Sequence, residues 1–141
     1  MKVSNILRIK GSKVYSVTGQ VSVYEAIKSM GEKNIGAILV MEEEKLTGIL
    51  SERDYARKIV LKGKSSRETL VKEIMTENVL TVTGEDTIEK CMAIMTEKHI
   101  RHLPVVENDK VLGMISIGDV VNAIIESQKE TIAHLQNYIS Q

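Results

Sequence analysis

Apolar and polar positions along this chain follow one order twice. A short apolar stretch at residues 14–17 precedes Ser22-Val23-Tyr24-Glu25, whose Ser-x-x-Glu spacing lets both side chains satisfy backbone N–H groups at a helix start. Val23, Ala26, Ile27 and Met30 then fall at i, i+3, i+4 and i+7, the stripe of an amphipathic helix. An apolar run at 35–41, a polar turn at 42–45 and a second run at 46–50 predict a β-hairpin with largely buried strands. A further helix should begin near Ser51. The same succession returns at residues 79–82, at Ile88, Cys91, Met92 and Met95, and at 103–106, 107–110 and 111–115, with a last helix from Ser116.

The two passages align without a gap. Residues 14–54 match residues 79–119 at a constant offset of 65, and 14 of the 41 positions are identical. A period of that length, present only twice, does not suit an open solenoid of units of roughly 20–50 residues. Two copies related by a pseudo-two-fold axis are expected, each of β-α-β-β-α outline. In this α/β (α+β) organisation the first domain covers residues 1–65, the second 66–126, and 127–141 form an extended C-terminal helix. The polar stretch 62–67 is the natural connector. Residues 3–7 resemble 71–75, but their spacing to the aligned block differs by three, so a surface loop inserted around residues 10–13 is expected in the first copy. Pro104, the only proline, suggests a strand start or an edge.

Composition narrows the function. Lys plus Arg and Asp plus Glu both number 19, so no general attraction to nucleic acid or an anionic membrane is expected. With no Phe or Trp, Ile, Leu, Val and seven Met must fill the core. One cysteine excludes an internal disulfide, and its place on the helical stripe points to packing rather than reactivity. A reducing, cytoplasmic setting is expected, since the first residues lack a signal-peptide run and no 18-residue apolar stretch could span a bilayer. His99 and His102 lie at a helix-to-strand junction with no carboxylate or cysteine spacing to complete a metal site, and His134 falls in the polar last helix. No Gly-x-Gly-x-x-Gly loop, Walker lysine loop or nucleophile elbow is present, so an enzyme is not expected.

The paired hairpin tails carry the candidate chemistry: Gly48-Ile49-Leu50-Ser51-Glu52-Arg53-Asp54 and Gly113-Met114-Ile115-Ser116-Ile117-Gly118-Asp119. Ser-x-x-Asp ahead of a helix is a capping pattern. It also suits a nucleotide, because a helix start attracts phosphate, a Ser hydroxyl can bond it, and a carboxylate can accept both protons of a ribose diol. Recurrence alone does not separate these readings.

With Ile-Arg-His-Leu-Pro-Val-Val before the second hairpin and Val-Lys-Glu-Ile-Met-Thr opening the second copy, residues 1–125 resemble a tandem pair of cystathionine-β-synthase (CBS) domains, a Bateman module. The resemblance implies a regulatory module that binds adenosine compounds in clefts between its domains: AMP foremost, with ADP, ATP, NAD(H) and S-adenosylmethionine as alternatives. It makes Asp54 and Asp119 ribose ligands and Ser51 and Ser116 their helpers, with Ile49, Met114, Arg53 and Gly118 beside them. It places Ile35-Gly36-Ala37 and Ile100-Arg101-His102 along the adenine site, with Arg101 and His102 reaching phosphate. Because the first copy has Gly36-Ala37 there, clefts of unequal phosphate-binding power are implied. The regulated partner protein is not named by the sequence, and a scaffold or interaction module with vestigial clefts is the alternative. Val121, Ile125, Gln128, Ile132, Leu135 and Ile139 alternate spacings of four and three, an a/d-like seam that predicts a homodimer through the last helix.

Overall fold

A computed structural model describes residues 1–140. They form two compact units that do not follow the chain-order halves 1–65 and 66–126. One unit is Val14–Val79; the other joins Met1–Lys13 to Leu80–Gln141. The segment that precedes each repeat therefore folds with the other repeat.

In the Val14–Val79 unit, β1 (Ser16–Val17) runs parallel to β2 (Ala37–Glu42), which pairs antiparallel with β3 (Lys45–Ser51). Helix α1 (Val3–Lys10) belongs to the other unit; here α2 (Val23–Lys33) is capped by Ser22, whose Oγ accepts from Glu25 N at 3.1 Å, and ends at Asn34 in the left-handed region. After β3 come α3 (Glu52–Tyr55) and a π-helical turn, Ala56–Val60. The predicted second helix is thus short and changes hydrogen-bond period. Helix α4 (Val71–Ile74) closes the unit: Val71 N donates to Val21 O at 2.9 Å and Lys72 N to Gly19 O at 3.0 Å. Val23, Met30, Ile38, Leu50, Val71 and Ile74 meet in its core.

The other unit repeats the plan with α1 (Val3–Lys10), α5 (Ile88–Lys98), β4 (His102–Glu107), β5 (Lys110–Ser116) and α6 (Ile117–Ser140). Val3 N and Ser4 N donate to Asp86 O and Gly84 O, so α1 stands against this repeat as α4 stands against the first. Val3, Ile6, Cys91, Met95, Leu103 and Ile115 are core residues. Burial pushes the Cys91 thiol up to about 11, so it stays protonated, in agreement with a packing role.

Two expectations need correction. The strand predicted at 79–82 is reduced to a single parallel bridge, Val82 with Val105. In the first copy Leu39 N donates to Tyr15 O at 3.3 Å; the residue at Leu39's position in the second copy is Pro104, which has no N–H to offer Leu80. Pro104 is not a strand start but the third residue of β4, and it does lie on an edge strand, since β4 pairs only with β5 in its sheet; its carbonyl accepts from Val82 N at 3.0 Å. The insertion around residues 10–13 is also not all loop. It lengthens the helix: α1 has eight residues and runs to Lys10, whereas α4 has four.

Candidate functional site

Each hairpin ends by running directly into a helix, and its register brings the two predicted segments together. Ala37 is the partner of Ser51, and His102 that of Ser116. The first helical N–H then ties back to the strand entry: Glu52 N donates to Gly36 O at 3.0 Å, and Ile117 N to Arg101 O at 2.8 Å. Residues 36–37 with 51–54, and 101–102 with 116–119, are therefore neighbours in their units. Ile35 and Ile100 pack beside the respective cores, each donating its N–H to the preceding helix, to Met30 O and Met95 O, both at 3.1 Å.

The capping geometry suggested by Ser-x-x-Asp is present in both copies. Asp54 N donates to Ser51 Oγ at 3.1 Å, and Ser51 N to Asp54 Oδ2 at 3.0 Å. Asp119 N donates to Ser116 Oγ at 3.2 Å, and Ser116 N to Asp119 Oδ2 at 2.8 Å. The N–H groups of the first and third helical residues are thus used within the chain. The helix starts are less available to phosphate than the bare motif suggests, and α3 has only one turn of helix behind it.

The surroundings of the two carboxylates differ. Asp54 Oδ1 lies 3.1 Å from Lys58 Nζ, one turn along its own helix, and accepts from Thr76 Oγ1 at 3.4 Å. Asp119 Oδ2 is held by Lys10 Nζ at 2.6 Å, brought across by the end of α1. Although partial burial acts against ionisation, that ammonium and the Ser116 N–H hold the Asp119 carboxyl below the usual carboxylate range. Burial lowers His102, helped by Lys10 and Arg101 and opposed by Asp119, so its imidazole is neutral at physiological pH. Arg101 is exposed, as is Gly118, while Ile49, Arg53 and Met114 are half-buried.

The sequence-based site included Gly48 and Gly113 in its motif but gave them no role, and it missed Lys10. A Cβ on Gly48 would stand 2.6 Å from Met75 Sδ and 3.0 Å from Thr76 O; one on Gly113 would stand 2.7 Å from Leu7 Cδ2. The glycine that opens each motif lets a neighbouring segment lie directly on the strand: Met75 and Thr76, just past the end of α4, at Gly48, and Leu7 of α1 at Gly113. Its recurrence at an offset of 65 was the signal. Lys10 had none, because it lies in the unaligned insertion. Among the described residues no group of three or more His, Cys, Asp or Glu could hold a metal ion, and no helix is long and apolar enough to cross a membrane.

The CBS domain family model matches residues 5–61 and 71–126. The CBS domain-containing protein CBSX3, mitochondrial, of Arabidopsis thaliana is 40% identical over 146 residues, which cover 97% of this chain and 71% of that protein. The crystal structure of the CBS domain NE2398 is 47% identical with a TM-score of 0.85, covering 89% of this chain and 98% of its own. The CBS domain pair of protein MJ0100, solved in complex with 5′-methylthioadenosine and S-adenosyl-L-methionine, is 26% identical with a TM-score of 0.80, over 90% of this chain and 98% of its own.

Proposed function

The chain belongs to the CBS domain family, with two tandem copies, and from that premise we propose that it is a regulatory module that binds an adenosine nucleotide and acts on a partner protein. AMP is the foremost ligand, with ADP, ATP, NAD(H) and S-adenosylmethionine as alternatives. The observation that carries this reading is the duplicated hairpin-to-helix junction, with a half-buried carboxylate at each helix head and the strand entry beside it. Asp54 and Asp119 would accept the ribose hydroxyls, and Ser51 and Ser116 would hold the carboxylates in place. Gly36, Arg101 and His102 would contact the base and phosphates, whereas Ala37 is fully buried and would only support the site from beneath. A ligand pair of adenosine chemistry in the related MJ0100 module supports the ligand class.

Regulation rather than catalysis is the role proposed, as expected for a CBS pair, and among the described residues no cluster of metal-ligating groups argues otherwise. The second copy would be the stronger phosphate site, because the positions of Arg101 and His102 are taken in the first copy by Gly36 and Ala37. A reducing compartment such as the cytoplasm suits the single buried thiol. We also propose a homodimer through α6, whose Val121, Ile125, Ile132, Leu135 and Ile139 are exposed along the a/d-like seam.

A thermal-shift panel of the five ligands tests the reading. A ligand present at 100 times its Kd should stabilise the chain by about 2.7 kcal/mol. If no adenosine compound shifts the melting temperature, the clefts are vestigial and the scaffold alternative takes its place.

A further inference from the structure

The unmatched residue Lys10 gives the second motif a cation that the first motif does not have in the same place. In the first copy Ile49 O accepts from Thr76 N at 2.9 Å, and Thr76 Oγ1 donates to Asp54. Position 114 corresponds to 49, and there the Met114 carbonyl accepts instead from Lys10 Nζ at 2.8 Å, while the same ammonium holds Asp119 at 2.6 Å. One lysine ammonium thus replaces a neutral backbone amide and a hydroxyl. This follows from chain length: α4 ends at Ile74 and the extended backbone returns to β3, but α1 continues for another turn and presents Lys10 to β5 and α6. Leu7, on the same helix, lies against Gly113.

We propose that Lys10 is a specificity-determining residue of the second motif, which selects phosphorylated over neutral adenosine ligands. The inference rests on the adenosine-binding reading above. With no ligand, the ammonium is the partner of Asp119. A ribose diol arriving at that carboxylate competes with it, so a neutral nucleoside must displace a charge-assisted bond and returns nothing to the lysine. A ligand that carries phosphate offers the displaced ammonium a new anion within reach of its flexible four-carbon stem, beside Arg101 and the neutral His102. The ion pair then changes partner instead of being lost. The Asp54 motif also has a lysine, Lys58, with a carbonyl bond of its own to Ile74 O at 2.8 Å, but it differs in origin: it comes from the π-helical turn four residues after the carboxylate and not from a separate leading helix.

The test is calorimetry on the full chain, with AMP and adenosine titrated into the wild type, Lys10→Gln and Lys10→Arg, read at the site that Asp119→Asn removes. In Lys10→Gln, AMP should weaken by about tenfold or more, and adenosine should bind as well as before or better. Lys10→Arg should restore the preference for AMP. Melting curves check folding, and Lys10→Met, which keeps the apolar stem, replaces the Gln variant if that one is unstable. If Lys10 only clasps α1 to the unit, Lys10→Gln lowers the melting temperature and leaves the AMP-to-adenosine ratio unchanged, and the inference is overturned. A wild type that binds neither compound overturns the adenosine reading itself, and the inference with it.

Discussion

Replacing Gly48 by alanine should harm the fold much more than the same change at Gly113, although the two positions are repeats of each other. Both lie within strands and are fully enclosed, so neither substitution meets a backbone restriction; the cost is steric. At Gly113 the three atoms nearest the added methyl all belong to Leu7, with its two methyl carbons at 2.7 and 3.3 Å, and the end of a leucine side chain can turn aside. At Gly48 it meets Met75 Sδ at 2.6 Å, Met75 Cγ at 2.9 Å and the Thr76 carbonyl oxygen at 3.0 Å. Methionine can yield. The carbonyl cannot, because it is held by Ile49 N at 3.0 Å while Thr76 N holds Ile49 O in return. Overpacking of this kind costs about 1–3 kcal/mol, and the loss of glycine's freedom in the unfolded chain returns about 0.4–1 kcal/mol. Gly48→Ala should therefore destabilise by about 2 kcal/mol, and Gly113→Ala by less than about 1 kcal/mol. For a chain of this size the difference is several degrees in melting temperature, read by thermal denaturation followed by circular dichroism. Equal losses, or a worse Gly113→Ala, would refute the argument that the returning backbone at Thr76 makes the first site rigid.

Glu43 and Glu44 turn the first hairpin with φ of 49° and 70°, where the second hairpin has Asn108 and Asp109, so Glu44→Gly should stabilise by about 0.5–1 kcal/mol in denaturant unfolding, and a neutral or destabilising change would count against that turn. Cys91, fully buried with its thiol pushed up to about 11, should resist a thiol reagent at pH 7.5 until the chain unfolds, whereas prompt labelling of the native protein would place it at an accessible surface. If α6 joins two copies through its apolar seam, light scattering should find a dimer for the full chain and a monomer for a chain ending at Glu126; an unchanged dimer would remove the seam as its cause.

The hairpins, the three long helices α2, α5 and α6, and the capped junctions were legible because their signals are local. Alternation and spacing placed both β-hairpins within about two residues of their observed ends, and Ser22, Ser51 and Ser116 each cap the helix that follows. What escaped depends on partners distant in the chain. Pro104 suggested a strand start or an edge, but its effect falls on residues 79–82, whose pairing needs an N–H that proline lacks. The exchange of leading segments between units is set by bonds such as Val3 N to Asp86 O, 83 residues apart, which no periodicity reports. The π-helical turn at Ala56–Val60 lies beyond the aligned block, where no second copy could be compared. The site was legible as a motif, and Asp54 and Asp119 stand at corresponding helix heads. Lys10 was invisible for the opposite reason: repeat comparison finds what two copies share, and Lys10 is what one copy alone has.

The most direct test of the central proposal is calorimetric titration of AMP into the wild type beside Asp119→Asn and Asp54→Asn. AMP should bind the wild type, and each substitution should weaken or abolish one site by about 10- to 150-fold, the loss of about 1.5–3 kcal/mol expected for a hydrogen bond to a charged group. Binding that is indifferent to both carboxylates would contradict the assignment of the two Ser-x-x-Asp junctions as the ribose sites.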